Sequence, residues 1–211
     1  KFKKDEEGYD IFSTLWKYDC NPADYKKDKD GKIIKYPAAE GLSEIIATPT
    51  YYNGKVYVAI GQDPEHGEGV GCLSCIEADT GKKVWEFKKI KRTISTCAVD
   101  ASNGLLFAAD YSGYVYCLDA ESGELHWVYD QKAHMWGSPL VADGKVYIGD
   151  EDGDFVVLAS DKKMKLLSET FFPAPIYSTP IVANGILYVA TQSHLYALYN
   201  EDHKKKAAKN K

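Results

Sequence analysis
The sequence predicts an all-β protein, a β-propeller of four-stranded antiparallel blades with about four blades visible. Three observations predict it. One phrase is said four times, as ATPTYYNGKVYVAIG from Ala47, STCAVDASNGLLFAAD from Ser95, GSPLVADGKVYIGD from Gly137 and STPIVANGILYVAT from Ser178. Its turn glycines, Gly54, Gly104, Gly144 and Gly185, recur at intervals of 50, 40 and 41 residues, and a period near forty with several strands per unit marks a propeller. Almost nothing reads as helix, whereas 16 tyrosines and 4 tryptophans in 211 residues suit strands.

The elements follow in chain order. Thr14–Tyr18 (TLWKY) reads as an outer strand, so residues 1–19 are assigned to a preceding or closing blade and residues 20–44 to a connecting loop. Blades are expected over residues 45–91, 92–133 and 134–174, with a final partial blade over 175–200. Within each, Asn53-Gly54, Asn103-Gly104, Asp143-Gly144 or Asn184-Gly185 supplies the two positive-φ residues of a type I′ hairpin, which joins strands A and B. A second turn, Asp110-Tyr111-Ser112-Gly113 or Asp150-Glu151-Asp152-Gly153, leads to strand C; an inserted loop, residues 62–71, replaces it in the first blade, and Gln192-Ser193 shortens it in the last. Strand D follows a glycine-ended turn in DTGKKVW and ESGELHW, which end at Trp85 and Trp127. The third unit has DKKMKLL, with Leu167 read in the tryptophan's place. Alternation of Val56, Val58 and Ile60 with Tyr57 and Ala59 suits sheets covered on both faces by neighbouring blades. Residues 201–211 form a solvated, lysine-rich tail.

Composition narrows the function. With 45% hydrophobic residues the chain can bury a core, and a formal charge of −5 removes the electrostatic footing of a nucleic-acid binder. No apolar run reaches the ~18 residues of a membrane helix, and no signal peptide is visible in this chain. Of the five cysteines, Cys72 and Cys75 form a C-x-x-C in an extended segment, where residues three apart face opposite sides of a sheet and share no metal. Cys75, Cys97 and Cys117 read as buried thiols; Cys20, in a loop, is free or paired.

Two acidic clusters carry metal-ligand chemistry. Asp150, Asp152 and Asp154 alternate around Gly153 as carboxylates do in calcium loops, and read either as a plain acidic hairpin turn or as a calcium site. The inserted loop sets His66 among Asp63, Glu65 and Glu68, either a hydrated loop or an acid-base or metal site on a rigid scaffold.

The unit TPxxxNGxVYVA…CLDAxSGExxW resembles the pyrroloquinoline-quinone-type (PQQ-like) propeller repeat over Ile45 to Tyr199. That repeat is shared by quinoprotein dehydrogenases, the propeller lipoprotein of bacterial outer-membrane assembly and many uncharacterised bacterial proteins. The stretch SEIIATPTYYNGKVYVAIGQDPEHGEGVG is also similar to exported, eight-bladed propeller proteins of planctomycete-type bacteria. Two arrangements stay open: the resemblance favours the C-terminal half of an eight-bladed ring, the other blades coming from a missing N-terminal half or from a second copy, and the alternative is a compact four-bladed ring in which the N-terminal strand closes on the last blade.

With A strands innermost, Arg92, His134, Trp136 and Tyr177 are expected at one mouth of the channel, either packing between blades or binding a flat or anionic ligand. In the dehydrogenases, adjacent paired cysteines lie over the quinone and an aspartate base works beside calcium. No two cysteines here are neighbours, and neither that aspartate nor a G-x-S-x-G elbow can be placed. The sequence is therefore read as a non-enzymatic scaffold binding protein partners in a periplasmic or otherwise exported compartment, with no cofactor expected and calcium left open by the acidic turn. The alternative is a fragment of a PQQ- and calcium-dependent oxidoreductase.

Overall fold
A computed structural model describes residues 3–34, 42–62 and 70–199. Two short strands, β1 (Lys3–Lys4) and β2 (Asp10–Ile11), form a hairpin, and a 3-10 turn spans Ala23–Lys26. Three four-stranded antiparallel sheets follow. The first holds β3 (Thr50–Tyr52), β4 (Lys55–Ile60), β5 (Cys72–Glu77) and β6 (Lys83–Phe87). The second holds β7 (Ala98–Asp100), β8 (Leu105–Ala109), β9 (Tyr114–Asp119) and β10 (Leu125–Asp130). The third holds β11 (Leu140–Ala142), β12 (Lys145–Gly149), β13 (Asp154–Ala159) and β14 (Leu166–Phe171). The last sheet has three strands among the described residues, β15 (Ile181–Ala183), β16 (Ile186–Ala190) and β17 (Leu195–Leu198). Each sheet is a meander in chain order, and these blades make the protein an all-β propeller.

The turn chemistry explains three of the four A–B hairpins. Asn53, Asp143 and Asn184 take φ of 48°, 51° and 53°, each followed by a positive-φ glycine, as type I′ requires. The expected Asn103-Gly104 turn is different: only Gly104 has positive φ, at 71°, because four residues, Ala101 to Gly104, separate β7 from β8. Asp100 caps this longer loop, accepting from the Ser102 N–H at 3.0 Å and its hydroxyl at 2.6 Å.

Strand alternation then sorts the side chains into gaps between blades. On β8, Leu106 and Ala108 face the first blade's Tyr57, Leu73 and Cys75, while Leu105, Phe107 and Ala109 face the third blade's Val146, Ile148 and Leu158. Cys72 packs with Cys20, Val58 and Ile60 on the opposite face of the first blade from Cys75. Trp16, Tyr18 and Tyr25 cover that outer face. Thr14–Tyr18 forms no ladder among the described residues, yet Trp16 donates Nε1–H to the Ala78 carbonyl at 2.8 Å, as Trp85 does to Ala120 at 3.1 Å and Trp127 to Asp161 at 2.8 Å.

A correction concerns the third blade. Trp85 pairs with Cys75 and Trp127 with Cys117, and the equivalent pair is Ser168 with Val157, so Ser168 rather than Leu167 occupies the tryptophan's place. Seven residues, rather than six, separate Leu158 from its partner Leu166, and the extra turn residue displaces the count by one.

Candidate functional site
The inner starts of the blades are tied by one repeated bond. Thr48 donates its N–H to the Thr96 hydroxyl at 3.1 Å, Thr96 to the Ser138 hydroxyl at 2.9 Å, and Ser138 to the Thr179 hydroxyl at 2.9 Å. A second repeated bond fixes the loops just upstream: Tyr111 donates to the Arg92 carbonyl at 2.8 Å, Glu151 to His134 at 3.0 Å and Gln192 to Pro175 at 2.8 Å. In the last three blades the loop entering the A strand therefore lies against its own blade's B–C turn.

These two belts bring the expected residues together in one row. The Arg92 guanidinium lies 4.4 Å from the Tyr111 ring centre. His134 stacks on Tyr111 at 4.3 Å and 16° between planes, and Trp136 meets Tyr111 edge-on at 5.2 Å. Tyr177 meets Trp136 edge-on at 5.8 Å, and Trp136 donates Nε1–H to Glu151 Oε2 at 3.0 Å. Sequence reasoning missed Tyr111 and Glu151, which sit on B–C turns read only as connections. Their signal is positional, since each holds the turn residue next to an entering loop.

The acidic turn is organised inward. Asp150 is fully buried, and its Oδ1 accepts the N–H groups of Asp152 at 3.1 Å and Asp154 at 3.0 Å. In the second blade the equivalent Asp110 also uses Oδ2, which accepts from the Tyr116 hydroxyl at 2.7 Å and the Lys91 N–H at 3.1 Å. Val156 stands in place of Tyr116, and Asp150 Oδ2 is buried with no partner among the described residues. Burial accordingly raises the Asp150 carboxyl above the usual carboxylate range. Among the described residues no three His, Cys, Asp or Glu side chains are grouped to hold a metal. Asp63, Glu65, His66 and Glu68 lie outside the described residues.

All five cysteines are free and buried. Burial pushes Cys20, Cys72, Cys75 and Cys97 up to about 11 and Cys117 to about 12.

With the geometry in hand, the likeness to known proteins is specific. Residues 69–166 match the repeat family described as outer membrane protein assembly factor BamB. The chain carries PQQ-like propeller repeats. It is 29% identical to tetrathionate hydrolase of Acidithiobacillus ferrooxidans over 133 residues, covering 63% of this chain and 24% of that protein. It is 24% identical to BamB of Escherichia coli over 143 residues, covering 63% of this chain and 36% of that protein. The matched stretch thus spans between a quarter and just over a third of the length of these relatives. Among solved structures, BamB of Moraxella catarrhalis superposes with a TM-score of 0.60 at 18% identity, over 75% of this chain and 44% of that one. Quinohemoprotein alcohol dehydrogenase of Comamonas testosteroni does so with 0.58 at 16% identity, over 73% and 30%. At these identities the structural likeness speaks for the fold.

Proposed function
We propose that this PQQ-like propeller is a non-enzymatic scaffold that binds protein partners in a periplasmic or otherwise exported compartment, with the row from Arg92 to Tyr177 as its contact surface. The observation that carries the reading is the change of exposure along the row. Arg92 and Tyr111 are 9% and 8% exposed, while Trp136 and Tyr177 at the other end are 38% and 45% exposed. A surface whose outer rings are held by buried ones meets a partner with its side chains already ordered, and tryptophan, tyrosine and arginine dominate the energy of such contacts. The likeness to BamB, named for outer-membrane protein assembly, supports a partner-binding role.

A photo-crosslinking residue placed at Tyr177 tests this in cells. Discrete heavier species are expected with the otherwise native chain and should be lost when Trp136→Ala is added. An unchanged band pattern, with the melting midpoint preserved, would refute the assignment.

One observation favours a second reading, a fragment of a quinoprotein oxidoreductase: the Tyr111–His134 stack is a flat face of the kind a planar quinone uses. The remaining residues do not fit that group. The described residues gather no metal-ligand set, and no two cysteines are adjacent. Adding the quinone with calcium is expected to leave both its absorption and the melting midpoint unchanged.

A further inference from the structure
Three of the four A–B turns carry the dipeptide Asn-Gly, at Asn53-Gly54, Asn103-Gly104 and Asn184-Gly185. In this dipeptide the glycine nitrogen can reach the asparagine side-chain carbonyl, because no β-carbon on the glycine shields it. All three asparagines are exposed, so access to water does not separate them. Their hydrogen bonds do. Asn103 Nδ2 donates to the Ser160 carbonyl at 2.9 Å and to its hydroxyl at 3.1 Å, and Asn103 Oδ1 accepts the Leu105 N–H at 3.0 Å. The Gly104 N–H is itself given to the Asp100 carbonyl at 2.9 Å. Asn53 has one tie, from Nδ2 to Glu121 Oε1 at 3.0 Å. The Asn184 side chain makes no hydrogen bond among the described residues. The hairpins differ in the same sense: β4 ends in four buried residues and β8 is buried throughout, whereas all of β15 is exposed and β16 buries Val189 alone.

We propose that Asn184 is a self-modification site, at which the chain deamidates through a succinimide far faster than at Asn53 or Asn103. The Gly185 nitrogen attacks Cγ of Asn184, the new N–Cγ bond replaces the Cγ–Nδ2 bond, and Nδ2 leaves as ammonia with the proton that Gly185 gives up. Water then opens the ring. Attack at Cγ restores the main chain with aspartate at this position, and attack at the main-chain carbonyl leaves the chain running through Cγ as isoaspartate. Only water is consumed. The folded turn holds Asn184 and Gly185 at φ of 53° and 75°, and ring closure takes the turn out of that conformation, so it follows local opening. A hairpin with few buried contacts opens at the lowest free energy, and of the three Asn-Gly hairpins that is β15–β16. The isoaspartyl product adds a backbone atom and a carboxylate to a turn whose length sets the pairing of Ile181 with Tyr188 and of Val182 with Leu187.

The test incubates the whole native chain in mildly alkaline buffer and maps its peptides by mass spectrometry, with electron-transfer fragmentation to tell isoaspartate from aspartate. Deamidation is expected first at Asn184, next at Asn53 and last at Asn103. The rate at Asn184 should exceed that at Asn103 by about tenfold or more, the ratio that about 1.4 kcal/mol of opening free energy sets. In strong urea the three rates should converge, since the dipeptide is the same at each site. Glu121→Ala, a change at an exposed side chain, should raise the Asn53 rate and leave that of Asn184 unchanged. Native rates that are equal at the three sites, or that lead at Asn53 or Asn103, would overturn the proposal, as would an Asn184 that keeps its amide. An Asn53 rate unmoved by Glu121→Ala would overturn the hydrogen bonds as the cause of the order.

Discussion

The indole of Trp85 rests directly on Gly123 of the following blade, so closely that a β-carbon built on that glycine would stand 2.6 Å from the ring. Trp16 and Gly81 repeat the arrangement one blade earlier, at 2.7 Å. The glycine that ends the C–D turn in the first two blades thus has two duties, a left-handed backbone and room for the neighbouring ring.

Gly123→Ala should therefore destabilise more than Gly104→Ala. Both glycines have positive φ, at 74° and 71°, but nothing lies within 4 Å of a β-carbon at Gly104. Backbone strain alone costs about 1 kcal/mol, and the clash with Trp85 adds about 1–3 kcal/mol. Urea midpoints of the two variants check the order.

Trp127→Ala should cost about 3–5 kcal/mol, the range for removing a large buried ring from a packed site. Trp136→Ala, at a half-exposed position, should shift the same denaturation curve far less. Equal losses would mean that the row, too, is part of the core.

The thiols set the alkaline limb of stability. Folding raises four of them from 9.0 to about 11 and Cys117 from 9.0 to about 12. Between those values the unfolded chain has lost protons that the native chain keeps, so stability falls as pH rises above about 9. A thiol reagent at pH 8 should label no cysteine until denaturant is added. Dithiothreitol should leave the melting midpoint unchanged, since no disulfide is present.

Asp150 acts at the other end of the scale. Its carboxyl is raised in the folded state, so the native chain holds that proton at pH values where the unfolded chain has released it. The penalty for the buried charge is absent below the unfolded value and is complete above the folded one. Asp150→Asn should be at least as stable as the native chain at pH 7, with the difference shrinking as pH falls through the carboxylate range. Its amide oxygen can still accept from Asp152 and Asp154. Chemical denaturation at several pH values measures this.

The fold was legible because its signals are local. Asn53-Gly54, Asp143-Gly144 and Asn184-Gly185 state their hairpins in two letters, and the period follows from counting between them. Positions that depend on an exact count were not legible. One extra residue before Leu166 moves Ser168 into the tryptophan's register, and two extra residues before Leu105 turn a type I′ hairpin into a capped four-residue loop. At the row, Arg92, His134, Trp136 and Tyr177 could be placed because they precede the repeated Ser/Thr step. Tyr111 joins them through a backbone bond to Arg92, 19 residues away in sequence, and through ring contacts with His134 and Trp136, pairings that no short motif announces.

The chain of hydroxyls from Thr96 through Ser138 to Thr179 has a direction, since each blade gives its amide proton to the next and receives one from the blade before. Each link of such a chain uses the same two groups, a backbone N–H and a side-chain hydroxyl. Excising one complete repeat, or inserting another, would bring together a donor and an acceptor of the same kind as those it separated. The seam therefore sets the handover between adjacent units and leaves their number to be decided elsewhere, so that genes built on this repeat can lengthen or shorten by whole units without redesigning the joint.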